Sequence, residues 1–241
     1  MYGYYGYPMM YGYDWTYILV LIGAVISMIA SYNVKATFDK YSRVQAFSGL
    51  TGSQAAQMIL ERNGISNVRI QGIAGSLTDN YVPSKKVLNL SQSTINSNSI
   101  AAIGVAAHEC GHAIQDARGY HPLILTRTIS PLCAVASKIS LPLIFFGIII
   151  SYTPLIKLGV IAFAIAISMQ LHTLPVEFDA SRRAVQTLAE YGMVNDKELS
   201  GIKSVLTAAA LTYVAAAASS ILQLLRLFLI MRSSENRNRR R

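Results

Sequence analysis

Ala106-Ala107-His108-Glu109-Cys110-Gly111-His112-Ala113-Ile114 carries the pattern His-Glu-x-x-His, and the other segments of the chain make sense as its supports. Two histidines four apart on a helix project from one face, one turn apart, so both imidazoles can reach a single ion. Glu109 stands beside them, placed to act as a base toward water rather than as a ligand. Cys110 is two residues past His108 and points away from the shared face; it reads as a small buried residue. A zinc site of this kind needs a third protein ligand, and the motif does not contain one.

The composition points to a membrane protein. Hydrophobic residues make up 52% of the 241, and only 14% are charged, against roughly 25% in soluble domains. The formal net charge of +9 is partly a terminal cluster, Arg232, Arg237, Arg239, Arg240 and Arg241, next to an apolar run. That placement fits a membrane surface better than nucleic acid, for which no aromatic-basic groove pattern is present. Two cysteines, Cys110 and Cys133, provide no disulfide framework.

Read in order, the chain opens with a Tyr/Gly tail over 1–14, expected to be flexible. A membrane anchor follows over 15–32, entered through Trp15 and Tyr17; the tail lacks the basic residues a signal peptide would show. Residues 33–128 form the first part of a catalytic domain. Within it, Thr51-Gly52-Ser53-Gln54 has capping-box spacing and predicts a helix closed by Asn63-Gly64. Val68–Gln71 and Lys86–Ser91 alternate as strands do, with turn residues from Gly75 to Pro83 between them. The apolar run before His108 is too short to span a bilayer, so the motif helix is expected to be buried in a water-facing domain.

Residues 129–174 predict a transmembrane hairpin, turning near Pro154 and Lys157. Because two crossings return the chain to its starting side, a second catalytic segment over 175–204 can rejoin the motif, with Pro175 in the first turn of a new polar helix. Residues 205–231 form an apolar helix, spanning or membrane-packed, and 232–241 a basic tail. The expected fold is a mainly α integral membrane protein, multi-pass, with about four apolar membrane helices and an α+β catalytic domain bearing a small strand layer. Lys35, Lys40 and Arg43 against a tail without Lys or Arg place the catalytic part in the cytoplasm. The arginine-rich end also belongs inside, which four full crossings cannot satisfy; the conflict disappears if 205–231 does not fully cross.

Metzincins place a glycine and a third histidine soon after the second, where this chain has Gln115 and Arg118, so that class is excluded. Asp116, His121, His172, Glu177 and Asp179 are the remaining candidates for the third ligand. Glu177 is favoured locally, since it lies in the first turns after the hairpin. The residues themselves leave it open between a ligand and an ion-pair partner for Arg182 or Arg183.

Three segments together closely resemble the YugP-like membrane zinc metallopeptidases of bacteria: Val105–Gln115, Leu174–Ala184 and Ala208–Ala217. The similarity covers nearly the whole chain and includes Ser76-Leu77-Thr78-Asp79. It implies a gluzincin-like, zincin-type site in the bacterial cell membrane, with one zinc ion, His108, His112 and Glu177 as ligands and Glu109 as base. More distant HtpX-type and CAAX-prenyl membrane proteases usually carry an aspartate four residues after the ligand glutamate. Ser181 occupies that position here, so Asp179 or Asp116 is left to orient a histidine.

The expected activity is hydrolysis of peptide bonds in membrane or membrane-proximal proteins, with a protein or peptide substrate and the lipid bilayer as partners. The strand Lys86–Ser91 is expected to bind substrate in extended form. Arg182, Arg183, Tyr81 and Tyr213 are candidates to stabilise the oxyanion. A non-catalytic zinc scaffold and an intramembrane-cleaving protease are the alternatives. Polar residues in the apolar runs, Lys138, Lys157 and Arg226, raise transport as a further one, but their flanking positions fit snorkelling.

Overall fold

Ser99 starts the motif helix: its side-chain oxygen accepts the backbone N–H of Ala102 at 3.2 Å, and the helix runs Ile100–Ala117. In the computed structural model, which describes residues 15–239 with side chains through 232, this is α4 of seven helices among the described residues. The expected flexible tail, 1–14, and most of the basic tail lie outside the described side chains.

The order is α1 Tyr17–Tyr41, α2 Gly52–Arg62, β1 Arg69–Ile73, β2 Asn80–Val82, β3 Val87–Ser91, α3 Gln92–Ile95, α4, α5 His121–Ile149, α6 Thr153–Glu190 and α7 Asp196–Arg239. The capping box at Thr51 forms as expected, with Gln54 returning its side chain to the Thr51 N–H at 2.9 Å. The sheet has the order β1-β3-β2, parallel between β1 and β3 and antiparallel between β2 and β3. β2 falls in the stretch expected to be turn. Three residues are too few for alternation to show in the sequence.

α4 is buried because elements close on it from several sides. Ala55, Ala56 and Ile59 of α2, Leu88 and Leu90 of β3, Leu188 of α6, and Ile202 and Leu206 of α7 share one core with its Ile103, Ala106 and Cys110. Phe38, near the end of α1, packs with Ala101 and Val205. That contact keeps α1 helical past Lys35 rather than ending it where charge returns.

Four helices, α1, α5, α6 and α7, are long and apolar enough to cross a membrane. α1 and α7 run antiparallel with backbones close together: a Cβ on Gly23 would stand 3.2 Å from Ser219, whose hydroxyl donates to the Gly23 carbonyl at 2.7 Å. Further along, Arg226 lies over the Tyr17 ring at 4.0 Å, and Leu227 packs with Ile144 and Ile156 next to the α5–α6 turn. α7 therefore extends the full height of the bundle, from the motif to the level of the hairpin turn.

One expectation is corrected. Pro175 does not open a new helix; α6 passes through it without a break from Thr153 to Glu190. A proline inside a helix loses one backbone hydrogen bond, but α6 packs on α5 before this point and on α4 after it, and those contacts carry the helix across.

Candidate metal centre

Gly111, between the two motif histidines, sets the distance between α4 and α6. A Cβ there would collide with the carbonyl oxygen of Ala180, so only glycine allows the two backbones to touch. The close crossing brings Glu177 of α6 to the face of α4 that carries the histidines. Glu177 Oε2 stands 3.3 Å from His108 Nε2 and 3.7 Å from His112 Nε2. The imidazole rings are 4.8 Å apart and nearly perpendicular, at 85°. Among the described residues, these three form the group of His, Cys, Asp and Glu side chains whose donor atoms converge, all within 4.8 Å of one another.

The donor set fits zinc. Two nitrogens and one carboxylate oxygen around a tetrahedral ion at about 2.0–2.2 Å would stand roughly 3.3–3.6 Å from each other, close to the two Glu177 separations. The electrostatics favour positive charge at the same point. Burial pulls the His112 imidazole down, but its hydrogen bond to Glu177 and the charges of Glu109 and Glu177 override this and lift it to about 9. Glu109 is 8% exposed; burial pushes its carboxyl up, opposed by His108 and His112 and assisted by Glu177 and Asp79.

The far nitrogens of both rings are held. His112 Nδ1 donates to Gln115 Oε1 at 3.0 Å, which turns Nε2 toward Glu177 and reserves it for an ion once that nitrogen has lost its proton. Gln115 is fixed in turn: its Nε2 donates to the Val176 carbonyl at 2.8 Å and to Asp179 at 2.9 Å. Asp179 is also bound by Arg182 and Arg183. His108 Nδ1 meets Ser181 Oγ at 3.1 Å.

The family model described as "Putative neutral zinc metallopeptidase" matches residues 16–232. This chain belongs to that family. It is 43% identical over 224 residues to a Bacillus subtilis (strain 168) protein named "Putative membrane protease YugP", a match covering 92% of this chain and 99% of that one. No solved structure matches it.

In this family member the other sequence candidates stand away from the convergent donors. His121 begins α5 on the surface, and His172 is exposed with Nδ1 on the Ser168 carbonyl at 2.7 Å. Cys110 is buried, with its thiol toward the Ala56 carbonyl. Asp116 accepts from Tyr81 Oη at 2.7 Å and Lys86 Nζ at 2.6 Å, clamping the β2–β3 hairpin to the end of α4. Neither Asp116 nor Asp179 is hydrogen-bonded to a histidine; Asp179 reaches His112 through Gln115, and Ser181 contacts His108 itself.

Two cavities meet at the His108–His112–Glu177 cluster. One, of about 260 Å³, borders His108, Glu109, Glu177 and Ser181 and extends between α1 and α7. The other, of about 270 Å³, borders His112, Glu109, Asn80 and Tyr81. Asp79 and Tyr213 line both. Asp79 is a residue the spacing gave no reason to single out; it accepts the Ser91 N–H and hydroxyl, each at 2.8 Å, and so pins the start of β2. The expectation that Lys86–Ser91 receives substrate is also corrected, because β3 is the central strand and is paired on both sides. β2 is an edge strand, and its residues face the cluster.

Proposed function

We propose that this family member is a membrane-embedded, zinc-dependent endopeptidase acting on membrane or membrane-proximal proteins. The observation that carries the reading is the convergence of His108, His112 and Glu177 with Glu109 alongside. One zinc ion held by those three residues would supply a Lewis acid that lowers the pKa of water and polarises the scissile carbonyl.

Each remaining part is assigned to the chain's own residues. Glu109 takes the proton of the attacking water and delivers it to the leaving amine. Its burial supports this, since a carboxyl with a raised affinity for the proton can hold it between the two steps. Substrate adds as an extended segment along β2, where Asn80 and Tyr81 line the cavity shared with Glu109 and His112. Tyr213 is the best placed of the four oxyanion candidates: Arg182 and Arg183 are engaged by Asp179, and Tyr81 by Asp116, all away from the cluster, whereas Tyr213 borders both cavities with its hydroxyl bonded to Glu177 itself. In this reading 33–128 and 175–204 form one zincin-like catalytic unit divided by the hairpin 129–174.

The test uses full-length, zinc-loaded protein in detergent with fluorescein-labelled unfolded casein. Glu109→Gln is expected to retain zinc and lose hydrolysis by a factor on the order of 100 or more. Wild-type turnover in that variant would remove Glu109 as the base.

A further inference from the structure

The cavity beside Ser181 has a composition that hydrolysis alone does not require. Val34 and Phe38 of α1 and Val205, Leu206 and Ala209 of α7 give it an apolar wall that leads to His108, Glu109 and Glu177. Its volume of about 260 Å³ lies below the roughly 300–1,000 Å³ of sites that enclose whole small ligands. It exceeds the ~150 Å³ in which an apolar cavity holds a benzene ring. The space is that of one large side chain.

Chemistry narrows which side chain. Asp79, Glu109 and Glu177 border the cavity, so an acidic group would meet like charge. Asp79 is committed to Ser91 and Glu177 to the two histidines, and Glu109 is reserved for the attacking water, so a buried ammonium would have to compete for a carboxylate already in use. The opposite cavity is more polar, bordered by Asn80, Tyr81, Thr126 and Thr173, and offers no comparable apolar wall. Location agrees: Val34 immediately precedes Lys35, where the apolar run of α1 ends, so the cavity stands at the height at which a membrane-proximal segment would arrive.

We infer that this cavity selects the substrate, receiving a large apolar side chain, leucine or phenylalanine in kind, from a residue flanking the scissile bond. The inference rests on the hydrolytic reading above. α1 and α7 are then the specificity walls as well as membrane helices, and selection depends on Val34 and Ala209, which line the cavity without being proposed ligands.

The experiment measures cleavage by full-length, zinc-loaded enzyme of synthetic peptides that differ at one position, Gly, Ala, Leu, Phe, Asp or Lys, with products mapped by mass spectrometry. Wild type is expected to cut next to Leu or Phe with kcat/KM at least about tenfold above Ala, and to disfavour Asp and Lys. Ala209→Phe, which fills the cavity, should bring the Leu-to-Ala ratio to about one or below. Ala209→Leu and Val34→Phe, on opposite walls, serve where the first variant loses zinc. A wild type that cuts without apolar preference, or that prefers Lys, overturns the inference and leaves the hydrolytic reading standing. A Leu-to-Ala ratio unchanged in zinc-retaining wall variants does the same. Failure of zinc-loaded wild type to cut any peptide or casein instead removes the reading beneath it.

Discussion

Gln115 shows how a side chain outside a motif can decide whether the motif works. Its oxygen holds the far nitrogen of His112 while its amide is anchored on Val176 and Asp179, so the imidazole presents Nε2 to Glu177 in one tautomer and one orientation. Gln115→Leu removes that hold and leaves Asp179 with Arg182 and Arg183. Zinc affinity, measured by competition with a chromogenic chelator, should fall roughly 10- to 100-fold; unchanged affinity would make Gln115 a packing residue only. At this scale the sequence was partly legible. His108, Glu109 and His112 declare themselves by spacing, because the helix repeat places them on one face. Gln115 and Ser181 do not, since an amide and a hydroxyl are common helix residues, and the anchors of Gln115 on Val176 and Asp179, like the His108 partner of Ser181, lie 60 or more positions away in the chain.

Crossings between elements, more than the elements themselves, shape the site. Gly111→Ala would push α4 off the Ala180 carbonyl; overpacking of this kind costs typically about 1–3 kcal/mol, and here it separates the histidines from Glu177. Both the thermal midpoint and zinc affinity should drop, and a variant that unfolds normally with full zinc affinity would contradict the close-crossing account. The clamp at Asp116 gives a pH signature. Burial raises its carboxyl, but the Lys86 and Tyr81 hydrogen bonds and the Lys86 and Arg127 charges outweigh this and hold it below the usual range. A carboxyl depressed in the folded state adds stability above its unfolded value and loses it as pH falls through the folded one. With the Lys86 side chain 40% exposed, Asp116→Asn should cost about 1 kcal/mol at neutral pH. The gap from wild type should close in acid; a gap that persists there, followed by thermal unfolding, would refute the clamp. Elements with strong local signals, the capped α2 and the apolar runs, were readable in advance. β2 was not, being three residues long, and Pro175 misled because its local preference for a helix start is outweighed by packing on both sides.

The whole molecule is a bundle whose hairpin separates two halves of one candidate site in sequence and reunites them in space. α5 leaves the motif region and α6 returns to it, and the return carries Glu177 back to His108 after 69 positions. The requirement for a third ligand was legible from the motif, and the hairpin supplied a route for one. That Glu177 and not Asp179 faces the histidines depends on the rotation of α6, which no local pattern encodes. The return of Glu177 is the claim on which the rest depends, and it is tested most directly by zinc analysis of purified full-length protein beside its Glu177→Ala variant, with casein hydrolysis measured on the same samples. The account predicts about one zinc per wild-type chain, and in the variant zinc lost to a mild chelator together with hydrolysis. A Glu177→Ala protein that holds zinc as tightly as wild type and cuts at the same rate would contradict it.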